Sequence, residues 1–139
     1  VNVLQSMILT DGARMLTTPT YHVFDLYTDH QDAEYIPTAA GALGAESELT
    51  VSRKDGAFTI SAANTSLTDG LDAAFELPGR VGEVLRAQVL ASDTPDAHNT
   101  FDAPEAVALR DLDVQVDGAQ VRFTLPPHAV ATVRVANAG

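Results

Sequence analysis

The chain has no cysteine, which removes disulfides, thiolate metal sites and cysteine nucleophiles together and leaves the redox compartment open. Tryptophan is absent too, and aromatic residues make up only 6%. Basic residues are scarce: 8 Lys plus Arg against 19 Asp plus Glu give a net charge of −11. Nucleic acids and anionic membrane surfaces require a cationic footprint, so neither is expected as a partner. No apolar run approaches membrane-spanning length, and the start shows no signal-peptide pattern of basic, apolar and small residues. The simplest expectation is a cytoplasmic chain. Its 139 residues, 45% hydrophobic and 19% charged, suit a soluble globular protein. A chain of that length buries about two thirds of its unfolded surface, enough for one core.

The first 35 residues read differently from the rest. Val1 to Thr10 is an almost continuous apolar run broken by Asn2, Gln5 and Ser6, which suits a strand buried on both faces. Asp11-Gly12 supplies a turn. Thr17-Thr18-Pro19 reads as a helix start, with Thr18 extended before the proline and capping, and Pro19 at the first helical position. The spacing of Thr20, Val23, Phe24, Tyr27 and Gln31 predicts a helix of about three turns with a narrow aromatic stripe on one face. One strand and one helix cannot bury both surfaces alone. The expectation is therefore a fragment of a longer chain, with residues 1 to about 33 poorly anchored or engaging a neighbouring copy.

Past Ala33 the texture becomes β. Residues 37–44, PTAAGALG, form a small-residue connector and the expected domain boundary, giving 1–36 and 37–139. Ser47 to Arg53 alternates, Asp55-Gly56 turns, and Phe58 and Ile60 share one face of the next strand. Leu71, Ala73, Phe75 and Leu77 follow at spacing two, then Val81 to Ser92 reads as a central strand. Asp93 to Pro104 is the longest polar loop, with Asn99 and Phe101 as its anchors; such loops tend to be functional or to seal an interface. Leu112, Val114 and Val116 run into Asp117-Gly118 and Val121, Phe123 and Leu125 run out, a strong hairpin signal. Ala129 to Val135 alternates in a terminal strand. Seven or eight antiparallel strands make a sandwich.

Several stretches carry a resemblance. Asn2-Val3-Leu4-Gln5, Ile8-Leu9-Thr10-Asp11-Gly12, Leu16 through Thr18-Pro19-Thr20-Tyr21-His22-Val23-Phe24 and His30-Gln31-Asp32-Ala33 resemble the end of the catalytic domain of family 51 alpha-L-arabinofuranosidases. Asn99-Thr100-Phe101 with Ala103-Pro104, and Leu125-Pro126-Pro127-His128, resemble its later markers. The resemblance implies a (β/α)8 barrel followed by a jelly-roll β-sandwich. The expected fold is thus mainly β: an antiparallel sandwich preceded by one strand and one helix left over from the barrel. The implied function is that of the accessory domain of a retaining enzyme that removes terminal arabinofuranosyl residues from arabinose-containing glycans. Its implied partners are the missing barrel of the same chain, such glycans through the whole enzyme, and further copies, since family members are commonly homo-oligomers.

A retaining glycosidase needs two carboxyl groups about 5–5.5 Å apart. Glu34, Glu46, Glu48, Glu76, Glu83 and Glu105 pattern as loop or solvent-facing residues, and the family's catalytic pair belongs to earlier barrel strands. No catalytic residue is expected in this chain. In a barrel enzyme the site lies at the C-terminal strand ends, so the loop from Thr10 to Thr18 would stand at the mouth. Thr18 occupies a position that in some relatives is a sugar-touching glutamine, and is the one candidate substrate contact beside its role as a helix cap. Asn2 and Gln5 require hydrogen-bond partners if buried. His22 and His30 are eight apart, too far for a one-turn metal pair, and neither metal nor cofactor is expected. Asn64-Thr65-Ser66 fits a glycosylation acceptor, which has no meaning in a cytoplasmic chain, and Ser47, Ser52 and Ser61 lack a nucleophile-elbow setting. Two other readings are a carbohydrate-binding module and an oligomerisation module. The first needs exposed ring faces, and only Tyr35 and Phe101 are free to provide them.

Overall fold

A computed structural model describes residues 6–38 and 43–139. The order is β1 (Ile8–Asp11), β2 (Arg14–Thr17), α1 (Pro19–Tyr27), a 3-10 turn (Thr28–His30), β3 (Glu34–Ile36), β4 (Ser47–Lys54), β5 (Ala57–Asn64), β6 (Leu71–Glu76), β7 (Val81–Leu90), β8 (Leu109–Asp111), β9 (Gln115–Asp117), β10 (Gln120–Leu125) and β11 (Ala129–Asn137). A six-stranded sheet runs β3-β4-β5-β11-β7-β8, a three-stranded sheet runs β6-β10-β9, and β1-β2 is a separate hairpin. All pairings are antiparallel. The expected sandwich, mainly β with one short helix ahead of it, is the fold observed.

Alternation explains the two layers. Phe58, Ile60 and Ala62 of β5 lie directly opposite Val135, Val133 and Ala131 of β11, so their side chains share one face of the sheet. That face meets Ala73 of β6 and Val121, Phe123 and Leu125 of β10, closing a core in which all of these residues are buried. Phe75 and Phe123 add a tilted ring pair with centroids 5.6 Å apart. Two tight links set register. Asp55 and Gly56 both have positive φ, 53° and 71°, which is what a two-residue hairpin in the right-handed twist demands. The β9–β10 link shifts one residue from the expected Asp117-Gly118: Asp117 pairs with Gln120, and Gly118-Ala119 makes the turn.

The opposite phase of the six-stranded sheet is not simply wet. Its residues Ser52, Thr59, Ser61 and Thr132 are buried, because α1 and the 3-10 turn lie over them. The expectation that the first 33 residues are poorly anchored is therefore corrected for 17–33: this segment is fastened to the sandwich's own outer face. The face of α1 also differs from expectation. Leu26 is the fully buried residue, with Val23 and Tyr27 beside it, whereas Phe24 and Tyr21 point outward, 63% and 39% exposed. The stripe at 23, 26, 27 and 30 obeys helical spacing as well as the expected one, and the sheet offers an aliphatic seat that accepts a leucine.

Two further differences lie near the start. The buried strand expected over Val1 to Thr10 begins, in the described residues, only at Ile8, and β1 pairs with β2 as a hairpin that leaves Met7, Ile8 and Met15 exposed; Val1–Gln5, with Asn2 and Gln5, lie outside the described residues. Glu34–Ile36, placed before the expected boundary, joins the six-stranded sheet as the edge partner of β4. Of the connector, residues 39–42 lie outside the described residues.

Candidate functional site: the seam between helix and sandwich

The seam has an apolar end and a polar end. At the apolar end Leu26 packs with Leu90 of β7 and Val107, rimmed by Val23, Tyr27, Ala97, Leu109 and Val130. At the polar end the sheet supplies cations, and α1 and the 3-10 turn supply anions. Arg86 on β7 donates to the Asp25 carboxylate at 2.7 Å and to Asp29 at 3.1 Å, while Arg134 on β11 reaches the other Asp29 oxygen at 3.5 Å. Arg86 and Arg134 are direct neighbours across the β7–β11 pair. Two guanidinium groups side by side repel, and Asp29 between them offsets that repulsion. A half-buried arrangement of this kind makes each partner costly to remove.

His30 closes the polar end. Its Nδ1 lies 2.7 Å from Ser52 Oγ and its Nε2 lies 2.8 Å from Ser61 Oγ, and Ser61 is bonded in turn to Thr132. A neutral ring donates from one nitrogen and accepts at the other, and two rotatable hydroxyls satisfy either tautomer. Burial holds the His30 pKa below its ordinary value, with the nearby Asp29 charge working in the opposite direction. Burial also raises the Tyr27 hydroxyl, helped by the Glu48 charge. Lys54 Nζ donates to the Gln31 carbonyl at 2.8 Å, and Arg53 pairs with Glu34 at 2.7 Å at the exposed margin.

A third tie comes from the long loop. Asn99 is buried, donates from Nδ2 to the Thr17 carbonyl at 3.0 Å and to the Val107 carbonyl at 2.9 Å, and accepts at Oδ1 from the Val107 amide at 2.7 Å. Phe101 lies under the Arg14 guanidinium at 4.9 Å, a cation–π contact. Both anchors expected in this loop thus hold the β1–β2 hairpin and the start of α1.

Thr18 sits at the N-cap of α1, extended at φ −93° and ψ 167°, with Pro19 following at the helix start. Its side chain does not cap. The hydroxyl donates to the Ser6 carbonyl at 2.8 Å and the amide to the Met7 carbonyl at 3.0 Å, so the residue ties the helix start back to the hairpin instead of satisfying helical amides. All six glutamates are exposed. Among the described residues there is no group of three or more His, Asp or Glu side chains placed to hold a metal ion, and no helix is long and apolar enough to cross a membrane. An open cleft of about 570 Å³ lies between the three-stranded sheet and the end of β8, lined by Asp72, Asp111, Asp113, Gln115, Arg122 and Thr124. The seam residues Asp25, Asp29, Arg86 and Arg134 were not anticipated from sequence.

Fold and seam define a β-sandwich that clasps a short hairpin–helix segment on its outer sheet. Residues 1–129 match the family model of the alpha-L-arabinofuranosidase C-terminal domain, and the chain belongs to that family. It is 29% identical over 146 residues to an intracellular exo-alpha-L-arabinofuranosidase of Bacteroides ovatus, covering 97% of this chain and 28% of that one. The crystal structure of a GH51 arabinofuranosidase from Xanthomonas axonopodis pv. citri shares 30% identity and a TM-score of 0.81, over 96% of this chain and 29% of that chain. AbfB, a family 51 alpha-L-arabinofuranosidase from Bifidobacterium longum, gives 21% identity and a TM-score of 0.74, over 94% of this chain and 28% of that chain. The chain therefore spans less than a third of the length of these relatives.

Proposed function

We propose that this chain serves as the accessory domain of a retaining alpha-L-arabinofuranosidase acting in the cytoplasm on terminal arabinofuranosyl residues of arabinose-containing polysaccharides and oligosaccharides. The domain itself is structural. The observation that carries this reading is the fastening of the hairpin–helix segment onto the sandwich through Leu26, the Asp29 ion cluster and Asn99. A sandwich that grips this hairpin–helix segment would brace the end of a catalytic barrel from outside, without contributing carboxylates to the reaction. The opposite surface of the segment is apolar, with Met7, Ile8, Met15, Tyr21 and Phe24 exposed, and apolar patches of this kind mark interaction surfaces. The missing barrel is the partner that fits. On this reading Thr18 stands at the barrel mouth. Its hydroxyl proton is given to Ser6, so an arabinose hydroxyl would meet it as a donor.

The test compares two proteins: the product of the whole reading frame that contains this chain, and the chain alone. The whole product should cleave an aryl alpha-L-arabinofuranoside, and the isolated chain should not. Turnover by the isolated chain that disappears on replacing one of its own glutamates would overturn the reading, as would an inactive whole product.

A further inference from the structure

Asn99 is the one side chain of the long loop whose amide is fixed in plane by a single partner. Val107 both donates to its Oδ1, at 2.7 Å, and accepts from its Nδ2, at 2.9 Å. With that two-point grip set, the second Nδ2 proton has one direction left, and it meets the Thr17 carbonyl at 3.0 Å. Val107 is itself buried against Leu26 and Leu90, so the grip is referenced to the sheet and to α1 together. The Thr17 carbonyl belongs to the peptide that leads into Thr18, the residue where the hairpin becomes helix. From the same loop, Phe101 holds Arg14 at the opposite end of β2. Two contacts on one four-residue strand, one at each end, define its line.

We propose that Asn99 is a positioning residue: acting through the Thr17 carbonyl, it sets the direction in which the hairpin–helix junction leaves the sandwich, and hence the placement of the Thr10–Thr18 wall at the barrel mouth. The second half of that statement rests on the function proposed above. The first half stands on the chain alone. A buried amide with three hydrogen bonds is not needed to fill space, since a leucine would do that; its geometry is directional.

The discriminating variant is Asn99→Asp, which keeps an acceptor for the Val107 amide and turns a carboxylate oxygen toward the Thr17 and Val107 carbonyls. In the whole enzyme at 25 °C, kcat on an aryl arabinofuranoside should fall by about tenfold to a hundredfold, the range expected for a small misplacement remote from the chemistry, with little change in KM. Val121→Ala, a core truncation in β10, serves as the stability control: it should lower the unfolding midpoint while leaving kcat intact. Amide exchange in the chain alone supplies an independent readout. Asn99→Asp should accelerate exchange at the Thr18 and Tyr21 amides, which bond to Met7 and Thr18 carbonyls, while β5 and β11 keep their protection. Wild-type kcat in Asn99→Asp, or an equal loss of kcat in Val121→Ala, would overturn the role at the mouth, and unchanged exchange at Thr18 and Tyr21 would overturn the positioning itself. If the unmodified whole product turns nothing over, the enzyme reading fails, and exchange alone decides whether Asn99 orients the junction.

Discussion

Replacing Leu26 by alanine should release α1 from the sandwich while leaving the sandwich folded. Leu26 is fully buried against Leu90 and Val107, with Val23, Tyr27 and Val130 around it. Truncations of this kind cost about 2–5 kcal/mol. Val23 and Tyr27 are themselves partly exposed and can settle into the gap, so the lower half of that range applies, about 3 kcal/mol. A nine-residue helix has no stability of its own once lifted. The loss therefore falls on the helix as a local opening unit and spares the core of Phe58, Ile60, Val121 and Val133. At about 1.4 kcal/mol per factor of ten, exchange of the amides in the second half of α1 should accelerate by about two orders of magnitude. Amides of β5 and β11 should change far less. Unchanged exchange in α1 would refute the claim that Leu26 is the anchor, and an equal acceleration across β5 and β11 would refute the claim that the helix opens separately.

Two other outcomes follow from residues at the seam and the turn. Because burial lowers the His30 pKa in the folded protein, the unfolded chain takes up the proton first as pH falls through about 6.5, so stability should decline below that pH until the folded ring also protonates. Urea midpoints at pH 7.5 and 5.5 should differ less in His30→Gln than in the parent, and an equal difference would count against a role for this ring. Gly56 sits at φ 71° with open space where a Cβ would be, so Gly56→Ala should cost about 1–2 kcal/mol through backbone conformation alone; a denaturation midpoint at or above that of the parent would contradict a left-handed turn there.

The β-strands were legible because period-two alternation and Asp-Gly links leave little choice of register, as in Ser47 to Ala62. The helix face was not. Phe24 and Tyr27 dominate any estimate of which side is apolar, yet the smaller Leu26 is the residue that fits between Leu90 and Val107. The seam escaped because its partners are distant in sequence: His30 meets serines 22 and 31 residues away. A signal was present in the outer phase of the strands. Ser52, Thr59, Ser61 and Thr132 are small and uncharged, where an open sheet face would carry longer charged side chains. Thr18 was placed correctly at the helix start, but the choice between its own helix and the Ser6 carbonyl is made by the hairpin fold, which local sequence does not encode. The loop anchors Asn99 and Phe101 stood out as an amide and an isolated ring in a polar stretch.

The position of β11 also bears on how the molecule comes into being. It lies between β5 and β7, yet it is synthesised after every other strand of its sheet. Until it emerges from the ribosome, β5 and β7 have no shared neighbour, and the half-sheet β3-β4-β5 carries an open border of unpaired backbone N–H and C=O groups. Chains lengthen at about 5–20 residues per second, so the 64 residues between Asn64 and Ala129 leave that border bare for several seconds. The sheet then closes in one late, long-range step, of the kind that is slow and exposed to aggregation. Holding factors that act on nascent chains should matter more for this domain than for one whose central strand is made early.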